Sequence, residues 1–117
     1  MIKMNGNGVN MNECFMCSTV ITKKDVVFET EDFIIVDAKT RICPLHYIIM
    51  TKKHIAQENF LNVNMTQIDK ILKILFSRNK IWCGYRMIIN NGIDAGQVEE
   101  HFHIHVFGGM ALRNFGI

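Results

Sequence analysis

An α+β fold is what this sequence predicts, with a mainly antiparallel sheet of about five strands, one long helix and a short one. Three observations lead there. Short runs rich in Val, Ile, Phe and Tyr are bounded by turn residues, as strands are. One segment carries a clear apolar period of 3.6 residues, as an amphipathic helix does. That segment lies between groups of strand-like runs, so the order is strands, helix, strands, which suits a helix packed on one face of an antiparallel sheet. A chain of 117 residues has room for one domain with a single core.

Met1 to Asn12 is polar and rich in Asn and Gly, without the apolar stretch of a secretory signal. It is expected to be a flexible tail, with residues 13–117 forming the domain. Val26 to Glu29 and Phe33 to Asp37 read as two short strands, and Thr30-Glu31-Asp32 is short enough for a hairpin turn. Ala38 to Pro44 is a loop stiffened by Pro44, the only proline. Leu45 to Thr51 is a further β-rich run, and His54 to Leu61 reads as a short helix. The long helix runs from Met65 to about Arg78, because Ile68, Ile71, Leu72 and Leu75 recur at i, i+3, i+4 and i+7. Asn64 suits its N-cap, Gln67 stands where a capping box needs it, and Val63 can staple to Ile68. Asn79 can stop it. Tyr85 to Asn90 is another strand, and Asn91 to Gly96 is a turn-rich loop.

Gln97 to Gly109 holds the least ordinary pattern. His101, His103 and His105 alternate with Phe102, Ile104 and Val106. A strand places the three imidazoles on one face and the three apolar residues on the other, whereas a helix scatters both sets. Gly108-Gly109 ends the strand. The polar face of an ordinary strand uses Thr, Lys or Glu. Three imidazoles leave two functional readings. One is a metal site of three histidines. The other is a nucleophilic or acid–base histidine with helpers, since neutral imidazole (pKa about 6.5) attacks or transfers protons near neutral pH. Alternation also puts Gln97 and Glu99 on the histidine face.

Composition narrows the partners. A hydrophobic content of 49% with 21% charged residues is that of a soluble globular protein. A net charge of +2 is too small to imply nucleic acid or a membrane surface. No apolar run approaches the ~18 residues of a membrane span. The expected compartment is the cytoplasm. There, Cys14 and Cys17 have metal-ligand or redox spacing rather than the look of a disulfide, and Cys43 and Cys83 are expected to pack in apolar surroundings. Together with the five histidines, Cys14 and Cys17 supply enough ligands for a tetrahedral zinc with imidazole left over. Spacing does not say which histidines bind it.

His101 to Phe107, His-Phe-His-Ile-His-Val-Phe, resembles the His-φ-His-φ-His-φ-φ signature of the histidine triad (HIT) family of nucleotide hydrolases and transferases, φ being hydrophobic. The resemblance covers nearly the whole chain after residue 13. Cys14 and Cys17 resemble a Cys-x-x-Cys found near the start of many members. Phe33 to Asp37 resembles the strand that ends in a ribose-binding aspartate. Pro44 to His54 resembles the family's Pro-x-His-x-φ-φ-φ-Pro-Lys-x-His segment. Asn90-Asn91-Gly92 and Ala95-Gly96-Gln97 resemble its phosphate loop. The short stretch after Gly109 is similar to that of the compact, dimeric Hint branch.

The resemblance implies a HIT-like fold and a division of labour. His103 would be the nucleophile, His105 would contact the phosphate, and His46 would complete the set near the leaving group. Asn90 and Gln97, with the backbone amides of Gly96 and Val98, would hold the phosphate. Asp37 would bind the ribose, with Ile35 and Ala38 near the base. Cys14, Cys17, His54 and His101 would bind a structural zinc, and no catalytic metal or organic cofactor is expected. The expected substrate is a purine nucleotide, either an AMP-type phosphoramidate or a dinucleoside polyphosphate, and the expected assembly is a homodimer.

The chain also departs from the family's pattern. Val98 replaces a common Ser or Thr, Glu99 and Glu100 follow it, Thr51 replaces a proline, and a Gly-Glu-x-Pro segment after the second cysteine is missing. Two rival readings are a nucleotide-binding sensor with little turnover and a metalloenzyme whose metal sits on all three strand histidines.

Overall fold

The structure is a computed structural model and describes residues 14–38, 42–79 and 84–113. The expected tail, Met1 to Asn12, and Cys83 lie outside the described residues. A short helix α1 (Phe15–Thr22) opens the described chain, followed by strands β1 (Val26–Glu29), β2 (Phe33–Asp37) and β3 (Leu45–Thr51). A 3₁₀ turn (Gln57–Asn62) leads into the long helix α2 (Met65–Asn79), and strands β4 (Tyr85–Ile88) and β5 (His103–Gly108) complete the set. The strands form one sheet in the order β1-β2-β3-β5-β4, antiparallel at every pairing. The expected α+β architecture is thus observed, with five strands and the long helix in place.

Alternation divides the sheet into two faces, each with its own core. Phe33, Ile35, Tyr47, Ile49, Phe102, Ile104 and Val106 pack with Val63, Ile68, Ile71, Leu72 and Leu75 of the α2 region. The apolar half of the histidine strand and the stripe of α2 therefore meet, as their periods required. Ile34, Val36 and Met50 face the other way and pack with Cys14, Met16 and Cys17 around α1. Phe33, Ile34, Ile35, Ile49, Ile71, Phe102 and Ile104 are all completely buried.

Four boundaries differ from the sequence expectation. Helix α1 was not anticipated; it forms because the Cys14 side chain caps it, accepting from the Cys17 N–H, and because its Met16 and Cys17 are buried. The short helix begins at Gln57 rather than His54 and is 3₁₀. Strand β4 ends at Ile88, two residues before the expected Asn90. Strand β5 begins only at His103, so Gln97 to Phe102 is not strand and alternation does not assign faces there.

The capping box also takes another form. The Gln67 side chain does not turn back on Asn64. Its Oε1 accepts from Thr30 Oγ1 at 2.9 Å and its Nε2 donates to Asp32 at 2.6 Å, which ties the start of α2 to the β1–β2 turn. Val63 and Ile68 are both buried in one cluster, as a staple requires.

Candidate functional site

The α1 face of the sheet carries two adjoining groups of side chains. The first is built by three separate segments. The N-cap and first turn of α1 supply Cys14 and Cys17, the chain leaving β3 supplies His54, and the residue entering β5 supplies His101. One ligand atom from each lies within 4.8 Å of the other three. Cys14 Sγ and Cys17 Sγ both stand 3.5 Å from His101 Nδ1, and Cys17 Sγ stands 3.1 Å from His54 Nδ1. Zinc–sulfur bonds of about 2.3 Å and zinc–nitrogen bonds of about 2.05 Å give tetrahedral S···N edges of about 3.6 Å, so the spacing fits a four-coordinate metal.

The protonation states fit as well. His101 Nε2 lies 2.6 Å from the Thr51 carbonyl. A carbonyl only accepts, so Nε2 carries the proton and Nδ1 turns its lone pair towards the thiols, the arrangement expected of a metal-binding histidine. Burial, joined by the neighbouring His54 and His103, pushes His101 down to about 4, so it is neutral near pH 7. Burial, with the hydrogen bond and charge of Cys14 beside it, pushes the Cys17 thiol up to about 12. A bound divalent cation reverses that cost by stabilising thiolate. These four residues can therefore bind a metal ion.

The second group is His46, His103 and His105, with Phe107. His46 Nε2 and His105 Nδ1 are 3.0 Å apart, and one of them donates to the other. The His105 ring stacks parallel to Phe107 and stands edge-on to His103, 5.3 Å between centroids. Burial, then the neighbouring His103 and His46, pushes His105 down to about 4, so it too is neutral near pH 7. His103 is buried, and its Nδ1 lies 2.7 Å from the His101 carbonyl. The proton must therefore sit on Nδ1, which leaves Nε2 as the nitrogen with an available lone pair. His101 and His103 are held in opposite tautomers by two backbone carbonyls.

The remaining expected residues are distributed unevenly. Ala38 is buried and its N–H donates to the His46 carbonyl at 3.0 Å, so it adjoins the histidines. Ile35 is completely buried in the α2-side core, away from them. Asp37 pairs with Tyr47, another member of that core, at the end of β2. Strand alternation thus separates Ile35 and Asp37 from the histidine face, while Val36 and Ala38 belong to it.

Gln97 braces its own loop: its Oε1 accepts from the Gly92 N–H at 2.8 Å and its Nε2 donates to the Glu99 carbonyl at 2.7 Å. Gly96, at φ +82°, donates its N–H to the Ile93 carbonyl. Val98 is 88% exposed. Asn90 offers its carbonyl to Gln57, a buried residue that sequence reasoning passed over because one glutamine in a polar stretch carries no periodic or motif signal. Thr51, standing in place of a proline, donates its N–H to the Phe102 carbonyl at 3.3 Å, which proline cannot do. A separate cavity lined by Phe33, Thr51, Ile55 and Val63 borders the α2-side core and does not include the histidines.

Comparison with known proteins agrees with this geometry. The model of the HIT domain family matches residues 20–112. An uncharacterised HIT-like protein of Chlamydia trachomatis is 37% identical over 94 residues, covering 75% of this chain and 83% of the relative. A histidine triad protein from Clostridium difficile superposes with a TM-score of 0.74 at 22% identity, covering 86% of this chain and 93% of the other. A HIT family hydrolase from Clostridium thermocellum superposes with a TM-score of 0.68 at 27% identity, with the same coverages.

Proposed function

The chain belongs to the HIT domain family, and on that premise we propose that it is a nucleotidyl hydrolase or transferase acting on an AMP-type purine nucleoside phosphoramidate or a similar ester. The observation that carries this reading is the tautomer of His103. Its Nδ1–H is committed to the His101 carbonyl, so Nε2 is the nucleophile. In the first step Nε2 forms a bond to the nucleotidyl phosphorus, the bond to the leaving amine breaks, and the amine leaves with a proton supplied through the His105–His46 pair. In the second, water attacks the phosphorus, the P–Nε2 bond breaks, the proton of water returns to the His105–His46 pair, and the neutral imidazole is restored. Two such steps replace one difficult displacement. His105, neutral and 5.3 Å from His103 between ring centroids, contacts the phosphate, and His46 relays a proton through its hydrogen bond to His105. Ala38 lines the nucleoside side. Asn90 and the Gly96–Val98 loop adjoin the phosphate.

Cys14, Cys17, His54 and His101 would hold a structural zinc. Its chemistry there is to fix α1 and the entry to β5 against the sheet, and no catalytic step is assigned to it. We further propose a single domain, a homodimer and a cytoplasmic location. The dimer draws support from β4, which pairs only with β5 among the described residues and exposes Tyr85 and Met87. Dinucleoside polyphosphates are the second substrate class. A nucleotide sensor with little turnover is the rival reading, and the engaged Gly96 N–H and the hydroxyl-free Val98 favour it.

Paired variants test the assignment. His103→Ala is expected to lower turnover of an AMP phosphoramidate by at least ~10³-fold, with AMP affinity, zinc content and melting temperature nearly unchanged. His101→Ala is expected to lose zinc and stability first, and activity as a consequence. Zinc loss in His103→Ala, or purely catalytic loss in His101→Ala, reopens the three-histidine metal reading.

A further inference from the structure

The β4–β5 ladder runs from Tyr85↔Gly108 to Ile88↔His105 and stops there. Continued by two residues, it would set Asn90 against His103. The strands part instead, and the side-chain amide of Gln57 fills the gap. Its Oε1 accepts from the His103 N–H at 2.9 Å. Its Nε2 donates to the His103 carbonyl and to the Asn90 carbonyl, each at 3.0 Å. Gln57 is 1% exposed, and both of its N–H groups are used.

We propose that Gln57 is a positioning residue for the nucleophile. The inference rests on the reaction assigned to His103 above. Gln57 stands in for a peptide unit between β4 and β5, holds both main-chain groups of His103, and sets the separation of His103 from Asn90. A residue held by two backbone bonds has little freedom to pivot, so the direction of its imidazole is fixed before substrate arrives. The same segment reaches the candidate metal centre. His54 lies three residues earlier, and the Ile55 carbonyl between them accepts from the Phe102 N–H at 2.6 Å. One short stretch therefore carries a ligand of the metal centre at one end and the clamp on the nucleophile at the other.

A buried glutamine that merely satisfies backbone groups would affect stability alone. Two variants separate the roles. Gln57→Met keeps length and shape and leaves three backbone groups unmet. Its kcat is expected to fall about 100-fold, the cost of misplacing reacting groups by ~1 Å, with KM changed less than about 3-fold and zinc content unchanged. Gln57→Glu keeps the acceptor for the His103 N–H, and two facing carbonyls favour its protonated, donating form. Its turnover is expected to fall with rising pH more steeply than that of the unmodified protein. Unchanged kcat in Gln57→Met, or a loss tracking zinc content, overturns the role.

If Gln57→Met does not fold, hydrogen exchange of the unmodified protein decides. The His103 amide should exchange as slowly as the amides of the β3–β5 ladder, and loop-like exchange overturns the clamp. Failure of the unmodified protein to form a nucleotidyl adduct rejects the reaction itself. A normal adduct with indifferent Gln57 variants rejects only the positioning role.

Discussion

His101 and His105 are both neutral near pH 7 because burial opposes their charge, and both are pushed from an ordinary 6.5 down to about 4. A depressed histidine contributes stability that is present above about pH 6.5 and lost as pH falls towards 4. The melting temperature is therefore expected to be level above neutrality and to drop through that window. Protonation of the metal ligands acts in the same direction. His105→Gln removes the His105 share of the slope while leaving the proposed zinc ligands in place, and an unchanged slope would contradict the assignment. Much at this scale was legible: the five histidines and the Cys14–Cys17 spacing announced two kinds of chemistry. What the sequence withheld was tautomer. His101 and His103, alternate positions of one motif, acquire opposite lone pairs only because Thr51 and His101 place their carbonyls where they do.

Elements were legible where a period was strong. The stripe of α2 and the alternation of Phe102, Ile104 and Val106 each indicated a buried face, and the two faces meet. Ile71 sits in that seam, completely buried. Ile71→Ala is expected to cost about 2–5 kcal/mol in denaturant unfolding. A cost below ~1 kcal/mol would mean the seam is not the main core. Helix α1 was illegible because it is short and is held by its Cys14 cap and its docking rather than by an apolar stripe. Under the proposed zinc assignment, α1 is the element expected to respond most to loss of the metal. Cys14→Ser is expected to lower both zinc content and melting temperature; undiminished zinc would remove Cys14 from the site. Ile35 and Asp37 show the opposite difficulty. Their strand has the expected bounds, and its period of two sets Ile35 in the α2-side core and Asp37 opposite Tyr47, a choice of face that the residue types alone do not announce.

The whole molecule is a sheet with two unlike faces. One, covered by α2, supplies the main core. The other carries the quartet that could hold a metal ion beside the histidine cluster, so the chain entering β5 supplies His101 to the one and His103 to the other. A ligand held on that face by the folded chain alone should stabilise it by mass action, and AMP is expected to raise the melting temperature in a concentration-dependent way. The proposed reaction requires that His103 become covalently nucleotidylated. Its most direct test is mass spectrometry of the protein quenched during turnover of an AMP phosphoramidate. An added AMP group is expected on His103 and none in His103→Ala. Turnover without any adduct under rapid quenching, or an adduct on another residue, would contradict it.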